Sequence, residues 1–70
     1  MSLQIVLDSS GDSRYVFDPA ATDELAKARE RFSRLTGRGF SAFDKQSGRR
    51  LGTFDPTVPE TLFVPQLKGG

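Results

Sequence analysis

The sequence predicts an α+β fold in which one helix packs across one face of a mixed sheet of four to five strands. Hydrophobic residues alternate near both ends of the chain, as in strands with one buried face, and recur at intervals of three and four in the middle, as in an amphipathic helix. Clusters of Gly, Pro, Asp and Ser separate these segments. A chain of 70 residues has room for one helix on one small sheet, so a single domain is expected.

The start of the chain predicts a hairpin. Leu3, Ile5 and Leu7 alternate with other residues, and Val6 is the one apolar residue on the second face, so the Leu3 face is predicted to be the buried one. Turn-forming residues at 8–12 then lead into a second run of strand character. The first two strands are therefore expected near residues 3–8 and 13–17.

The middle of the chain predicts a helix near residues 20–36. Its apolar stripe consists of Ala21, Leu25, Ala28, Phe32 and Leu35. The opposite face carries a basic stripe of Lys27, Arg31, Arg34 and Arg38. Acidic residues at pairing distance interrupt this stripe, and the net charge is only +1, so it is interpreted as a solvated face rather than a nucleic-acid site.

Three further strands are predicted near residues 40–45, 50–54 and 61–65. Pro56 and Pro59 make the segment before the last strand irregular, because proline fixes φ and lacks a backbone donor. Residues 62–64 are apolar on both faces, which favours a central strand. This order of strands and helix fits a single sheet if the first and last strands lie parallel at its centre and the helix crosses one face. That arrangement is the β-grasp, with Leu25, Phe32, Leu35, Ile5 and Leu7 expected to be buried.

Composition argues against an enzyme. The chain has no Cys and no His, so it offers no thiolate, imidazole, disulfide or soft metal ligand. So small a domain also has little volume in which to bury a pair of carboxylates. This composition predicts a protein that uses no cofactor and no metal. We expect it to be cytoplasmic, because neither a signal peptide nor a membrane span is evident in the sequence.

The pair Gly69-Gly70 is the strongest functional signal. Without Cβ atoms, a glycine pair can pass through a narrow channel and present an unhindered carboxylate that can be adenylated. Residues 1–65 are thus predicted to form the domain, and residues 66–70 a flexible conjugation tail. Leu67 and Lys68 are expected to contact partner enzymes within this tail.

The ending Leu67-Lys68-Gly69-Gly70 is similar to the Leu-Arg-Gly-Gly end of ubiquitin, and the chain resembles bacterial ubiquitin-like proteins still more closely. The motifs that carry this resemblance are residues 7–12, Phe17-Asp18-Pro19, Phe54-Asp55-Pro56 and residues 62–70. The operons of that family also encode activating and conjugating enzymes and a deubiquitinase-like protease. The resemblance therefore implies these three partners and a target protein, but no nucleic acid and no membrane.

Alignment from the final glycine implies a partner-binding patch. Val64 falls where these families keep an outward apolar residue that meets the activating enzyme, and Ala42 is expected to extend the patch, with Phe43 or Phe40 as alternatives. If the protein forms chains on itself, the acceptors must be among its three side-chain amines, Lys27, Lys45 and Lys68.

Two other functions stay open. Residues 63–70 also resemble the end of the molybdopterin sulfur carrier, which has the same size and fold. The match departs at Pro59-Glu60-Thr61, where the carrier has an acidic turn, and at Lys68, where the carrier has a small residue. The third function is a binding adaptor in which the glycine pair has no role.

Overall fold

The computed structural model describes residues 1–65 and contains one helix and five strands. The elements, in chain order, are β1 (Ser2–Asp8), β2 (Gly11–Phe17), α1 (Thr22–Gly37), β3 (Phe40–Asp44), β4 (Arg50–Leu51) and β5 (Glu60–Pro65). The predicted α+β class is confirmed, because α1 packs against a single mixed sheet. The tail predicted at residues 66–70 lies outside the described residues.

The sheet has the strand order β2-β1-β5-β3-β4, with β1 and β5 parallel at its centre. All its other pairs are antiparallel. The predicted parallel pairing of the first and last strands is therefore confirmed, and the arrangement is that of a β-grasp. β5 lies between β1 and β3, which agrees with its apolar residues on both faces.

The core lies between α1 and one face of the sheet, which we call the helix face. Phe63 is fully buried at the centre of β5 and meets Phe32 of α1 edge to face, with ring centroids 5.7 Å apart. Phe54 from the segment after β4 closes the other side of Phe32, at 5.9 Å. The remaining buried members of this cluster are Val6, Leu35 and Ala42.

The predicted buried face of β1 is wrong. Gln4 and Val6 point toward α1, since the Gln4 side chain donates a hydrogen bond to a helix carbonyl and Val6 belongs to the core cluster. Side chains alternate along a strand, so Leu3, Ile5 and Leu7 lie on the opposite face. Ile5 is buried there as predicted, but Leu7 is exposed. The helix follows prediction more closely: Phe32 and Leu35 are buried and Leu25 is half-buried.

The segment between β4 and β5 explains why β4 is shorter than predicted. β4 has two residues instead of the expected five, and residues 52–59 then leave the sheet. This segment is nevertheless anchored. Val58 is buried, and the backbone N–H of Leu3 donates to the carbonyl of Pro59 at 2.8 Å. The segment thereby delivers β5 alongside β1 in the correct parallel register.

Candidate protein-interaction surface

The face of the sheet opposite α1 carries an apolar row that crosses all five strands. The strand register places five residues side by side, in the order Arg14, Ile5, Leu62, Phe43 and Arg50. The three central side chains are apolar and the outer two are exposed arginines. Leu62 and Phe43 are half-buried, and Ile5 is shielded between its neighbours in the central strands. The row is thus an apolar strip with a positive charge at each end.

Val64 extends this strip along β5. It lies two residues beyond Leu62, on the same face, pairs with Ser41 of β3 and is half-buried. We call the three half-buried residues Leu62, Phe43 and Val64 the open-face patch; Ile5, beside Leu62, is buried. This is the face on which an outward Val64 was predicted, and an apolar group of this kind on a strand is a typical contact surface for another protein.

Ala42, which was predicted to belong to the partner-binding patch, does not. It is 1% exposed and packs in the core beside Phe63, with which it is paired across β3 and β5. The reason is strand parity, because successive residues of β3 alternate between the helix face and the open face. Phe43, one residue further along, takes the position on the open face, and Phe40 packs against the core.

Charged and polar groups surround the open-face patch. On β2, the Arg14 guanidinium lies 3.3 Å from the Asp12 carboxylate, and both side chains are largely exposed. At the start of β5, Glu60 lies 3.6 Å from Lys45. Exposed pairs of this type contribute little to stability, roughly 0.2–1 kcal/mol each, so they remain available to a partner. An apolar centre with a polar rim is the usual anatomy of a protein interface.

The hairpin tip and the segment after β4 hold acidic side chains in tight local turns. Asp8 accepts hydrogen bonds from the hydroxyl of Ser10 at 2.6 Å and from its backbone N–H at 2.9 Å, and these lower the pKa of Asp8. Asp55 is held in the same way by Thr57, chiefly by the hydroxyl at 2.6 Å, so its pKa is also lowered. Both carboxylates are ionised at neutral pH and shape loops rather than the patch.

The predicted acceptor lysines within the described residues are both on the surface. Lys27 is exposed on α1, and Lys45 is exposed in the turn after β3, where its ammonium group contacts Glu60. They lie in different elements, so the structure does not bring them together. Lys68 lies outside the described residues.

The conjugation residues Gly69 and Gly70, and the tail residues Leu67 and Lys68, also lie outside the described residues. The structure nevertheless shows the strand that precedes them. β5 ends at Pro65, next to Phe40 of β3, and its last open-face residue in the patch is Val64. The residues that follow are therefore joined to the central strand of the sheet.

Sequence reasoning missed a buried polar cluster between β1, β2 and α1. Gln4 is completely buried; its amide nitrogen donates to the carbonyl of Ala28 at 3.0 Å, and its amide oxygen accepts from the Arg31 guanidinium at 2.7 Å. The same guanidinium lies over the Tyr15 ring, 4.1 Å from its centroid. Arg31 is therefore not simply part of a solvated stripe. The available signal was Val6, since an apolar residue beside Gln4 marks that face as a possible core.

Within residues 1–65, no helix is long and apolar enough to cross a membrane, and no cluster of three or more acidic, His or Cys side chains is placed to hold a metal. Comparison of the chain with protein-family models, with curated proteins and with solved structures gives no match.

Proposed function

We propose that this protein is a ubiquitin-like modifier whose Gly70 carboxylate is activated and then transferred to a target. The observation that carries the proposal is the coincidence of three features on one strand. β5 is the central strand of a β-grasp sheet, it contributes Leu62 and Val64 to an open apolar patch, and it leads into a sequence that ends in Gly69-Gly70.

The chemistry is acyl transfer. The Gly70 carboxylate attacks the α-phosphate of ATP and displaces pyrophosphate, which gives an acyl adenylate. A cysteine thiolate of the activating enzyme displaces AMP from the acyl carbon and forms a thioester. An amine or hydroxyl of the target then displaces the thiol. Glycine suits this sequence because it places no side chain beside the reacting carbon.

The domain supplies recognition rather than catalysis. The open-face patch offers an apolar contact to the activating enzyme, and Arg14 and Arg50 at its two ends favour an acidic rim on that enzyme. Leu62 and Val64 of the patch lie on β5, and the acyl donor lies on the continuation of that strand. Binding at Val64 would therefore also position the residues that follow it.

The direct test uses the purified protein, ATP and an activating enzyme of the kind that bacterial ubiquitin-like proteins use. We expect pyrophosphate release and an adduct that a thiol reagent removes. A chain shortened by Gly69-Gly70 should show neither, and thermal unfolding of the shortened chain is the control that its domain is still folded. Normal adenylation of the shortened chain would refute the proposal.

A sulfur carrier is the second candidate, favoured by the sequence Phe63-Val64-Pro65 before the tail. Both candidates form the adenylate, so the next product separates them. A modifier appears in a covalent conjugate of higher mass that survives reducing agent when the acceptor is lysine. A sulfur carrier gains about 16 Da, because sulfur replaces one oxygen of the carboxylate after the same acyl activation. A terminal thiocarboxylate without conjugates would reverse the order of the two candidates.

The adaptor remains as the outcome if no activation occurs. In that case Gly70→Ala should leave the biological activity of the protein unchanged in its host. Under the modifier hypothesis the same substitution reduces activation, since it adds a methyl group next to the reacting carboxylate.

A further inference from the structure

A second surface, distant from the tail in sequence, lies between α1 and β2. A groove of about 200 Å³ opens there, lined on the helix side by Arg31, Arg34 and Arg38 and on the strand side by Ser13 and Tyr15. The three arginines follow the spacing i, i+3 and i+7, so they form one row along the helix. Three guanidinium groups on one wall make this groove a site for negative charge.

The position of Arg31 is fixed by a buried side chain. The guanidinium donates a hydrogen bond of 2.7 Å to the side-chain oxygen of Gln4, which is completely buried. Its central carbon lies 4.1 Å from the centroid of the Tyr15 ring. A preorganised guanidinium loses little conformational entropy when it binds an anion. By contrast, the Arg34 ion pair with Glu30 is exposed and 3.4 Å long, so it can exchange partners readily.

The other wall of the groove is the edge of the sheet. β2 pairs with β1 alone among residues 1–65, and its residues 11–16 are all exposed. In an antiparallel ladder every second residue of such an edge strand points its N–H and C=O away from the sheet. These groups can bind the backbone of another extended chain. The opposite edge, β4, has only two residues and offers far less.

We propose that this groove binds an acidic, extended segment of a partner protein, which adds to β2 as a further strand and directs its carboxylates toward Arg31 and Arg34 of α1 and Arg38 at the end of the helix. The dimensions agree. Arg31 and Arg38 are separated by about 10.5 Å along the helix axis. Three alternate residues of an extended strand span about 13 Å, so two or three acidic side chains match the row.

A peptide fits this site better than a nucleic acid does. Nucleic acid needs a continuous positive surface, whereas Asp8 lines the same groove and Glu30 pairs with Arg34. The free backbone N–H and C=O groups of β2 can form a strand ladder only with a ligand that has a peptide backbone. This proposal concerns residues apart from the tail and does not depend on the conjugation chemistry.

The experiment uses the full-length protein and a labelled eight-residue peptide of alternating aspartate and valine, with blocked ends. We expect saturable binding and amide shift changes confined to β2 and residues 31–38 in a two-dimensional NMR spectrum. Arg38→Glu should weaken binding by about tenfold, because an attractive charge becomes repulsive. Arg49→Glu is the matched control: it changes the net charge equally at an exposed turn outside the groove, and should have less than about a twofold effect.

A second probe tests the strand pairing without changing the protein. The same peptide with all its backbone amides methylated keeps its charge but has no N–H group left to donate to β2 from either edge, and we expect it to lose binding. Equal binding of the methylated peptide would overturn the proposal, as would equal effects of the two charge reversals or no binding at all. Inorganic phosphate or a thymidine oligonucleotide that displaces the peptide and gives the same shifts would assign the groove to anions in general and overturn it too.

Discussion

The two faces of the sheet come from alternate residues of the same strands, yet one face is a packed core and the other is an open surface. On β5, Phe63 is fully buried under α1, while its neighbours Leu62 and Val64 remain half-buried on the open face. On β1, polar Gln4 is fully buried and apolar Leu7 is exposed. Hydrophobicity alone therefore does not identify the core face of this sheet.

The two faces differ because polar groups buried under the helix need hydrogen-bond partners within the protein. The helix face combines an aromatic centre at Phe32 and Phe63 with three buried polar residues, Ser2, Gln4 and Thr61. The amide nitrogen and oxygen of Gln4 both have partners. Burial of an unpaired amide would be costly, so Gln4 requires both Ala28 and Arg31. The open face has no such requirement and can keep an apolar patch for another protein.

The largest expected effect is on the helix face. Phe63→Ala, and likewise Phe32→Ala, should lower the free energy of unfolding by about 3–5 kcal/mol, because it leaves a cavity under the helix. That loss approaches the total stability of so small a domain. Leu62→Ala is the adjacent control and should cost about 1 kcal/mol, since this side chain is half-buried. Equal losses in urea unfolding would contradict the division into two faces.

The next effect concerns the buried amide. Gln4→Leu should lower the free energy of unfolding by about 1–2 kcal/mol, because the half-buried Arg31 guanidinium loses its acceptor. The same substitution in an Arg31→Met background should cost less, since the charge that needed the acceptor is gone. A double-mutant cycle measures this coupling. Purely additive losses would show that the 2.7 Å contact contributes nothing.

On the open face we expect a change in function with little change in stability. Val64→Ser should lower the free energy of unfolding by about 1 kcal/mol, well below the loss at Phe63, because Val64 is only half-buried. It should nonetheless lower kcat/KM of the activating enzyme for this protein about tenfold or more, as expected of a central interface residue. Ala26→Ser, at an exposed position of α1 away from the open face, is the control. Equal kinetic effects of both changes would remove Val64 from the interface.

The smallest expected effect on stability comes from two loop carboxylates, which lie outside both faces of the sheet. The pKa values of Asp8 and Asp55 are lowered in the folded protein from an ordinary value of 3.8, so their ionised forms favour the folded state. Their contribution is complete above that value and is lost as the pH falls through the lower folded pKa. Urea midpoints should therefore fall slightly below about pH 4. Asp8→Asn and Asp55→Asn should each reduce this fall, and an unchanged pH profile would show that the turns do not matter.

Much of the fold follows from local signals in the sequence. The helix was expected near 20–36 and spans Thr22–Gly37, because its apolar residues recur at helical spacing and glycines follow it. The parallel pairing of β1 and β5 followed from the order of elements and the apolar character of residues 62–64. β4 was predicted too long, since Thr53 and Phe54 have strand propensity but Phe54 turns instead into the core beside Phe17 and Phe32.

The residue pattern was enough to predict the order of elements and the central place of β5, and the family resemblance suggested that Val64 faces outward. Only the packing of the folded chain shows which face of β1 is the core, and that Ala42 is buried while Phe43 lies on the open face. It also decided that Arg31 is held by Gln4. The physical reason is that alternation along a strand divides residues into two sets but does not say which set meets the helix. That choice depends on the docking of α1, where a buried amide is acceptable once Ala28 and Arg31 complete its hydrogen bonds.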